Sequence, residues 1–187
     1  MRVERDASGD EPLCPAVKQD DQQGEEKVER PSVQLSLGIA LRIDESYISE
    51  ENQRLRMYKR IAGVENEKAL EDVRTEMEDR YGPLPVSVAH LLEAARLRVV
   101  CERIGVAQVD RKRDQLHIKF TESAAVDPGR LMKLVAKNAK RGAQFTPQGV
   151  LRFPIAAVKP EEVLAAVQGL LEELADSRVQ RSAVGVQ

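Results

Sequence analysis

The stretch DRYGPLPVSVAHLLEAARLRVVCERI, Asp79–Ile104, decides the reading of this chain. Gly82, Pro83 and Pro85 break any helix that reaches Tyr81, because glycine ends helices readily and proline removes a backbone donor. From Pro85 to Ile104 a new helix is expected. Val88, Leu91, Leu92, Ala95 and Val99 form one apolar stripe, and Leu97, Val100, Cys101 and Ile104 form an adjoining one. Two stripes side by side make an arc too wide for a surface helix, so this is the central helix of the fold.

Working back towards the amino terminus, a helix from about Glu65 to Arg80 carries Ala69, Leu70, Val73, Met77 and Tyr81 on its inner face. Its outer face pairs Lys68 with Asp72 and Glu76 with Arg80, four residues apart. Before it, Ser49 is expected to cap a helix whose apolar positions are Leu55, Tyr58, Ile61 and Ala62, ending at Gly63. Val33, Leu35, Leu37, Ile39 and Leu41 alternate with Gln34, Ser36, Gly38, Ala40 and Arg42, the period of a strand with one buried face. Residues 1–30 hold nine acids and five bases with few apolar residues, leaving 22 acids and 24 bases in the rest. Such composition cannot offset the entropy of ordering, so 1–32 are expected to be a disordered tail or linker.

Towards the carboxy terminus, Val106–Asp110 and Gln115–Phe120 predict a hairpin with Arg111, Lys112, Arg113 and Asp114 at its charged tip. Asp127 and Pro128 supply an N-cap and a first-turn proline for a helix with Leu131, Leu134 and Val135 inward, closed at Gly142. Ala143–Thr146 and Val150–Pro154 flank the turn residues Pro147, Gln148 and Gly149 and predict a second hairpin. Pro160 opens a final helix striped by Val163, Leu164, Val167, Leu170, Leu171 and Leu174. The fold class is α+β, with short antiparallel strands and hairpins packed with about five helices, a folded domain over 33–176 and a frayed tail over 177–187. A chain that is 42% apolar, 32% charged and only 3% aromatic fits a core of aliphatic residues in a soluble, cytoplasmic protein.

Chemistry is sparse. No Gly-x4-Gly-Lys-Ser/Thr phosphate loop occurs, so no nucleotide motor is expected. The two histidines, His90 and His117, lie in a helix and a strand without a partner motif and read as structural or surface positions. Cys14 and Cys101 form no metal or disulfide pattern and read as free thiols, with Cys101 a small core residue. The carboxylates Asp72, Glu76, Glu78 and Asp79 sit on a face laced with Lys and Arg and read as solvated. No catalytic residue, metal ligand or cofactor is expected. Lys133, Lys137, Lys140 and Arg141 line one face of the fourth helix and are a candidate contact for DNA phosphates or an acidic partner, although no aromatic interleaves with them.

Three stretches carry a resemblance: Ile43–Ile48 (IDESYI), Asn52–Ile61 (NQRLRMYKRI) and Asp79–Pro85 (DRYGPLP). In this order and spacing they resemble the opening of the C-terminal domain of bacterial transcription-repair coupling factors. Arg54, Leu55, Tyr58, Arg80, Tyr81, Gly82, Pro83, Leu84 and Pro85 are the residues that match its motifs. Similarity continues through Leu91-Leu92, Arg96-Leu97-Arg98 and Ile104-Gly105-Val106 to about Leu174. Asp44 and Ser49 stand where the family often has proline. The resemblance implies a non-catalytic, autoinhibitory module of an ATP-driven DNA translocase that takes part in nucleotide excision repair. Its implied partner is the amino-terminal repair-recruitment module of the same factor, and through it the excision-repair damage-recognition protein and RNA polymerase. Direct DNA contact is the alternative, and no membrane is implied.

Overall fold

The structure is a computed structural model that describes residues 33–175. The expected tails over 1–32 and 177–187, and Cys14, lie outside the described residues. In chain order the elements are β1 (Gln34–Ser36), α1 (Glu51–Ala62), α2 (Glu67–Tyr81), α3 (Val86–Ile104), β2 (Val106–Lys112), β3 (Gln115–Phe120), α4 (Pro128–Asn138), β4 (Gln144–Phe145), β5 (Val150–Pro154) and α5 (Pro160–Leu174). The α+β order expected from the sequence is observed, with one addition. Ala139–Arg141 wind as a 3-10 turn between α4 and Gly142.

The strands form one mixed sheet in the order β1-β2-β3-β5-β4. Both hairpins are antiparallel, but β1 lies parallel to β2, Leu35 opposite Val109. This follows from connectivity, since α1, α2 and α3 intervene between β1 and β2 and bring the chain back in the same direction.

The two apolar stripes of α3 serve two cores. Leu97, Cys101 and Ile104 enter the larger one, with the inner sheet residues Val106, Val109, Leu116, Ile118 and Leu151, α4 residues Leu131 and Leu134, and the full stripe of α5. Val88, Leu92 and Ala95 enter the smaller one, with Ile43, Ile48, Met57, Ile61, Val64, Val73 and Met77. The wide arc thus marks a helix shared between a sheet-based layer and a three-helix layer.

Several local expectations are corrected. The strand pairs only over Gln34–Ser36, because Gly38 at φ +68° turns the chain, although burial keeps alternating through Leu37 to Ile43. The N-cap of α1 is Glu50 rather than Ser49, and it makes no side-chain cap bond. Leu55 (51% exposed) and Ala62 face solvent, while Met57 takes the place expected of Leu55. Helix α2 starts two residues later than its pattern implied, where the Asn66 side chain accepts from the Ala69 amide at 2.8 Å. The first hairpin turns on Arg113 and Asp114 alone, with Arg113 at φ +53°, so Arg111 and Lys112 belong to β2.

Gly82, which follows the end of α2, has an unusual backbone conformation. Its φ of +85° is positive, but its ψ of −167° places it in an extended region open almost only to glycine. A Cβ there meets nothing within 4 Å. Gly82→Ala should therefore cost about 2 kcal/mol through backbone strain alone. Urea denaturation checks this, and an unchanged midpoint would show that the turn relaxes freely.

Candidate interaction surfaces

The three motif stretches fold into a single knot of hydrogen bonds. Arg54, on the first turn of α1, donates from Nη1 to the Ile48 and Ser49 carbonyls, each at 2.8 Å, and from Nη2 to Glu45 at 3.2 Å. Tyr58, one turn later, accepts the Ile43 amide at 2.6 Å. Together these fold residues 43–49 back onto α1. Tyr47 then bridges to α2, donating to the Met77 and Gly82 carbonyls at 3.1 and 2.9 Å and packing edge-on against Tyr81 at 5.9 Å. Burial, with the Glu78 carboxylate adding to it, pushes the Tyr47 phenol above its ordinary value, so it stays a donor.

Tyr81 donates to Gln53 at 3.2 Å, and Arg80 pairs with Glu76 at 3.2 Å, which Arg60 of α1 also engages. Leu84 packs against the helical core, Pro83 is exposed, and Pro85 is the N-cap of α3. Of the nine motif residues, Leu55 is the large apolar one that faces solvent.

The groups with chemical potential are held in unreactive settings. Cys101 is fully buried and burial pushes its thiol up to about 12, so it is no nucleophile near neutral pH. His90 sits 3.5 Å from Glu161 and links α3 to the start of α5. Glu78 pairs with Arg74 on an exposed face, whereas Glu76 is largely covered and is taken by Arg60 and Arg80. Among the described residues, no group of three His, Cys, Asp or Glu side chains is placed to hold a metal, and no helix is long and apolar enough to cross a membrane.

Lys133, Lys137, Lys140 and Arg141 are all exposed. Only Lys133 and Lys137 share helix α4. Lys140 and Arg141 fall on the 3-10 turn, whose three residues per turn carry them off the row that a continued α-helix would give. Lys137 also leans towards α5, with its Nζ 3.6 Å from Glu173.

Two of the open surfaces have the composition of a binding site. A groove of about 490 Å³ runs between α2 and α3, floored by Leu70, Leu84 and Leu92 and rimmed by Glu67, Arg74 and Arg96. The outer face of the sheet, which no helix among the described residues covers, carries Lys112, His117, Lys119 and Arg152. Sequence reading treated Lys112 as part of a hairpin tip and did not place Arg152 beside His117. Register across three strands is what brings them together, and no local pattern encodes it.

The profile of the TRCF domain matches residues 37–131, just over half of the chain and all three motif stretches. The chain belongs to the TRCF domain family. Transcription-repair-coupling factor of Escherichia coli is 35% identical over 95 residues, 51% of this chain and 8% of that protein. Its counterpart from Haemophilus influenzae is 29% identical over 122 residues, 65% of this chain and 11% of that protein. This chain therefore spans about a tenth of the length of the coupling factors it matches. The crystal structure of a C-terminal domain of transcription-repair coupling factor superposes with a TM-score of 0.64 at 23% identity, covering 78% of this chain and 94% of that one. That likeness shows a shared fold. The TRCF domain profile ends in α4, and the structural likeness covers a larger share of the chain than that profile does.

Proposed function

We propose that this TRCF domain is a non-catalytic regulatory module of a transcription-repair coupling factor. It covers the surface on the factor's amino-terminal repair-recruitment module through which the excision-repair damage-recognition protein is engaged. The observation that carries this reading is where the motif residues point. Arg54, Tyr58, Tyr81 and Gly82 are used up in bonds within the domain, which is how a scaffold for presenting a surface is built rather than a pocket for chemistry.

The α2–α3 groove supports a protein partner. Its apolar floor and mixed-charge rim have the composition of an interface, with Leu70, Leu84 and Leu92 available for burial and Glu67, Arg74 and Arg96 for pairing around them. A DNA role for Lys133, Lys137, Lys140 and Arg141 has less support, since the row is broken after Asn138 and Lys137 is drawn to Glu173.

Competition tests the proposal. The chain, added in excess to a preformed complex of the recruitment module and the damage-recognition protein, is expected to release the latter. If the complex is untouched at every concentration while the chain itself remains folded, the masking reading fails.

A further inference from the structure

We propose that the open face of the sheet is a docking surface for an acidic polypeptide segment in extended conformation, seated on Lys112, Arg152 and Lys119. The proposal rests on the masking reading only in taking the partner to be a protein.

Among the described residues, helices cover one face of the sheet. Val109, Leu116, Ile118 and Leu151 point to the helices and are fully buried. Their neighbours in register point the other way: Gln108, Asp110 and Lys112 on β2, Gln115, His117 and Lys119 on β3, and Val150 and Arg152 on β5. Lys112, Lys119 and Arg152 are exposed, and among the described residues none of the three pairs with a carboxylate. Asp110 is the one acid on β2, β3 and β5 of this face, and Gln108 holds it at 2.8 Å.

The cations are spread over three adjacent strands. Lys112 lies level with Gln115, and Arg152 level with His117, while Lys119 is two residues further along β3. Along the strand direction the cations are stepped by two residues, roughly 6.6 Å, while Lys112 on β2 and Arg152 on β5 also lie two strands apart, roughly 9 to 10 Å across the sheet, with Lys119 on β3 between those strands. An extended peptide laid obliquely across the three strands brings its acidic side chains within reach of this triangle of Lys112, Arg152 and Lys119. Gln115, beside Lys112 in register, supplies an amide group for the peptide backbone.

Nucleic acid is the weaker fit. Residues outside the first 30 hold 22 acids and 24 bases, a small excess, and this face brings three cations where duplex binders neutralise about six to ten phosphates. Its aromatic neighbours Phe120, Phe145 and Phe153 belong by register to the opposite face, so no stacking platform for single strands exists here.

His117, among these cations, is a built-in reporter. Partial burial and the charges of Lys112 and Arg152 hold its imidazole below the ordinary value, against a smaller pull upward from Asp110. An acidic peptide laid across the face reverses the sign of that surrounding charge. The test titrates the full chain with a short synthetic peptide of alternating glutamate and serine, following His117 by NMR at about 20 and 150 mM salt. With only two histidines in the chain, His90→Gln assigns the signals. The expected result is saturable binding that raises the His117 pKa, weakened at least tenfold by Lys119→Glu with Arg152→Glu and little changed by Lys133→Glu. The milder pair Lys119→Gln with Arg152→Gln should weaken it less while keeping the fold. An unmoved His117, equal loss from Lys133→Glu, or tighter binding of a plain duplex DNA to the same residues would each overturn the proposal. Release of the damage-recognition protein by the chain is a separate readout, so either reading can fail alone.

Discussion

Gly105→Ala is expected to destabilise the protein by about 3 to 4 kcal/mol, a substantial fraction of the roughly 5 to 15 kcal/mol by which a typical domain is stable. Gly105 ends α3 at φ +78°, ψ +38°, the left-handed helical region, where a non-glycine residue costs about 1 to 2 kcal/mol. The added Cβ also lands 2.5 Å from the Ala124 Cα, 3.0 Å from the Thr121 hydroxyl and 3.2 Å from the Ala124 Cβ. Backbone must move to relieve that contact, at about 1 to 3 kcal/mol more. The segment cannot easily retreat, because the Thr121 amide and hydroxyl donate to the Gly105 carbonyl at 2.8 and 3.0 Å and the Ala125 amide donates to Ile104 at 3.1 Å. At roughly 2 to 4 °C per kcal/mol the melting temperature should fall by about 10 °C. A fall no larger than that for Gly82→Ala, where the Cβ is unopposed, would show that the 121–125 segment yields.

Arg98→Met is expected to cost about 2 to 3 kcal/mol and to loosen α1 selectively. Arg98 projects from α3 to the end of α1, where helix carbonyls have no intrahelical partner. Its guanidinium donates to the Ala62 carbonyl, to Val64 at 2.9 Å and to Ile61 at 3.3 Å. Bonds from a charged donor are worth about 1.5 to 3 kcal/mol each, but water can reach part of this site, and the Arg98 Nε is itself buried without a hydrogen-bond partner, with Glu102 at 3.9 Å. The net therefore stays well below the sum. Methionine keeps the apolar stem, so core packing is held constant while the bonds are lost. Hydrogen exchange should show the amides of α1 opening more easily than those of α5. A uniform change, or a stability loss below about 0.5 kcal/mol, would mean that water replaces the arginine.

Much of this fold is legible locally. Helix α5 is written in a stripe, Val163 to Leu174, whose every member is buried, and the Asp127-Pro128 start of α4 is a cap bond of 2.7 Å to the Gly129 amide. Helix α3 announced its central place through the width of its apolar arc, and the structure resolves that arc into faces for two cores. What failed was local in a different way. Leu55 sits at helical spacing yet faces solvent, because Met57 and Ile61 are the residues aimed at α2 and α3 and apolar spacing alone does not fix the rotation of a short helix. The parallel pairing of β1 with β2 depends on three intervening helices and leaves no mark in either strand.

Surfaces were harder to read than elements. The lysine row on α4 assumed a helix that continues to Arg141, whereas the chain tightens after Asn138. The cations of the sheet face come from β2, β3 and β5 and become neighbours only through register. Arg98 left a faint signal, as a charge set between Leu97 and Val99 in the apolar arc of α3, but its partners lie more than 30 positions away in the chain.

The measurement that bears most directly on the account is a titration of the labelled amino-terminal recruitment module with the full chain, carried to high micromolar concentration. Partners that normally share one polypeptide lose a factor of about 100 to 10,000 in apparent affinity when separated, so weak, saturable, one-to-one binding is predicted. A mixed apolar and polar interface should lose little of that binding between low and physiological salt. The absence of binding at every accessible concentration, together with steeply salt-sensitive binding of the same chain to plain duplex DNA, would contradict a regulatory module that works by covering a protein surface.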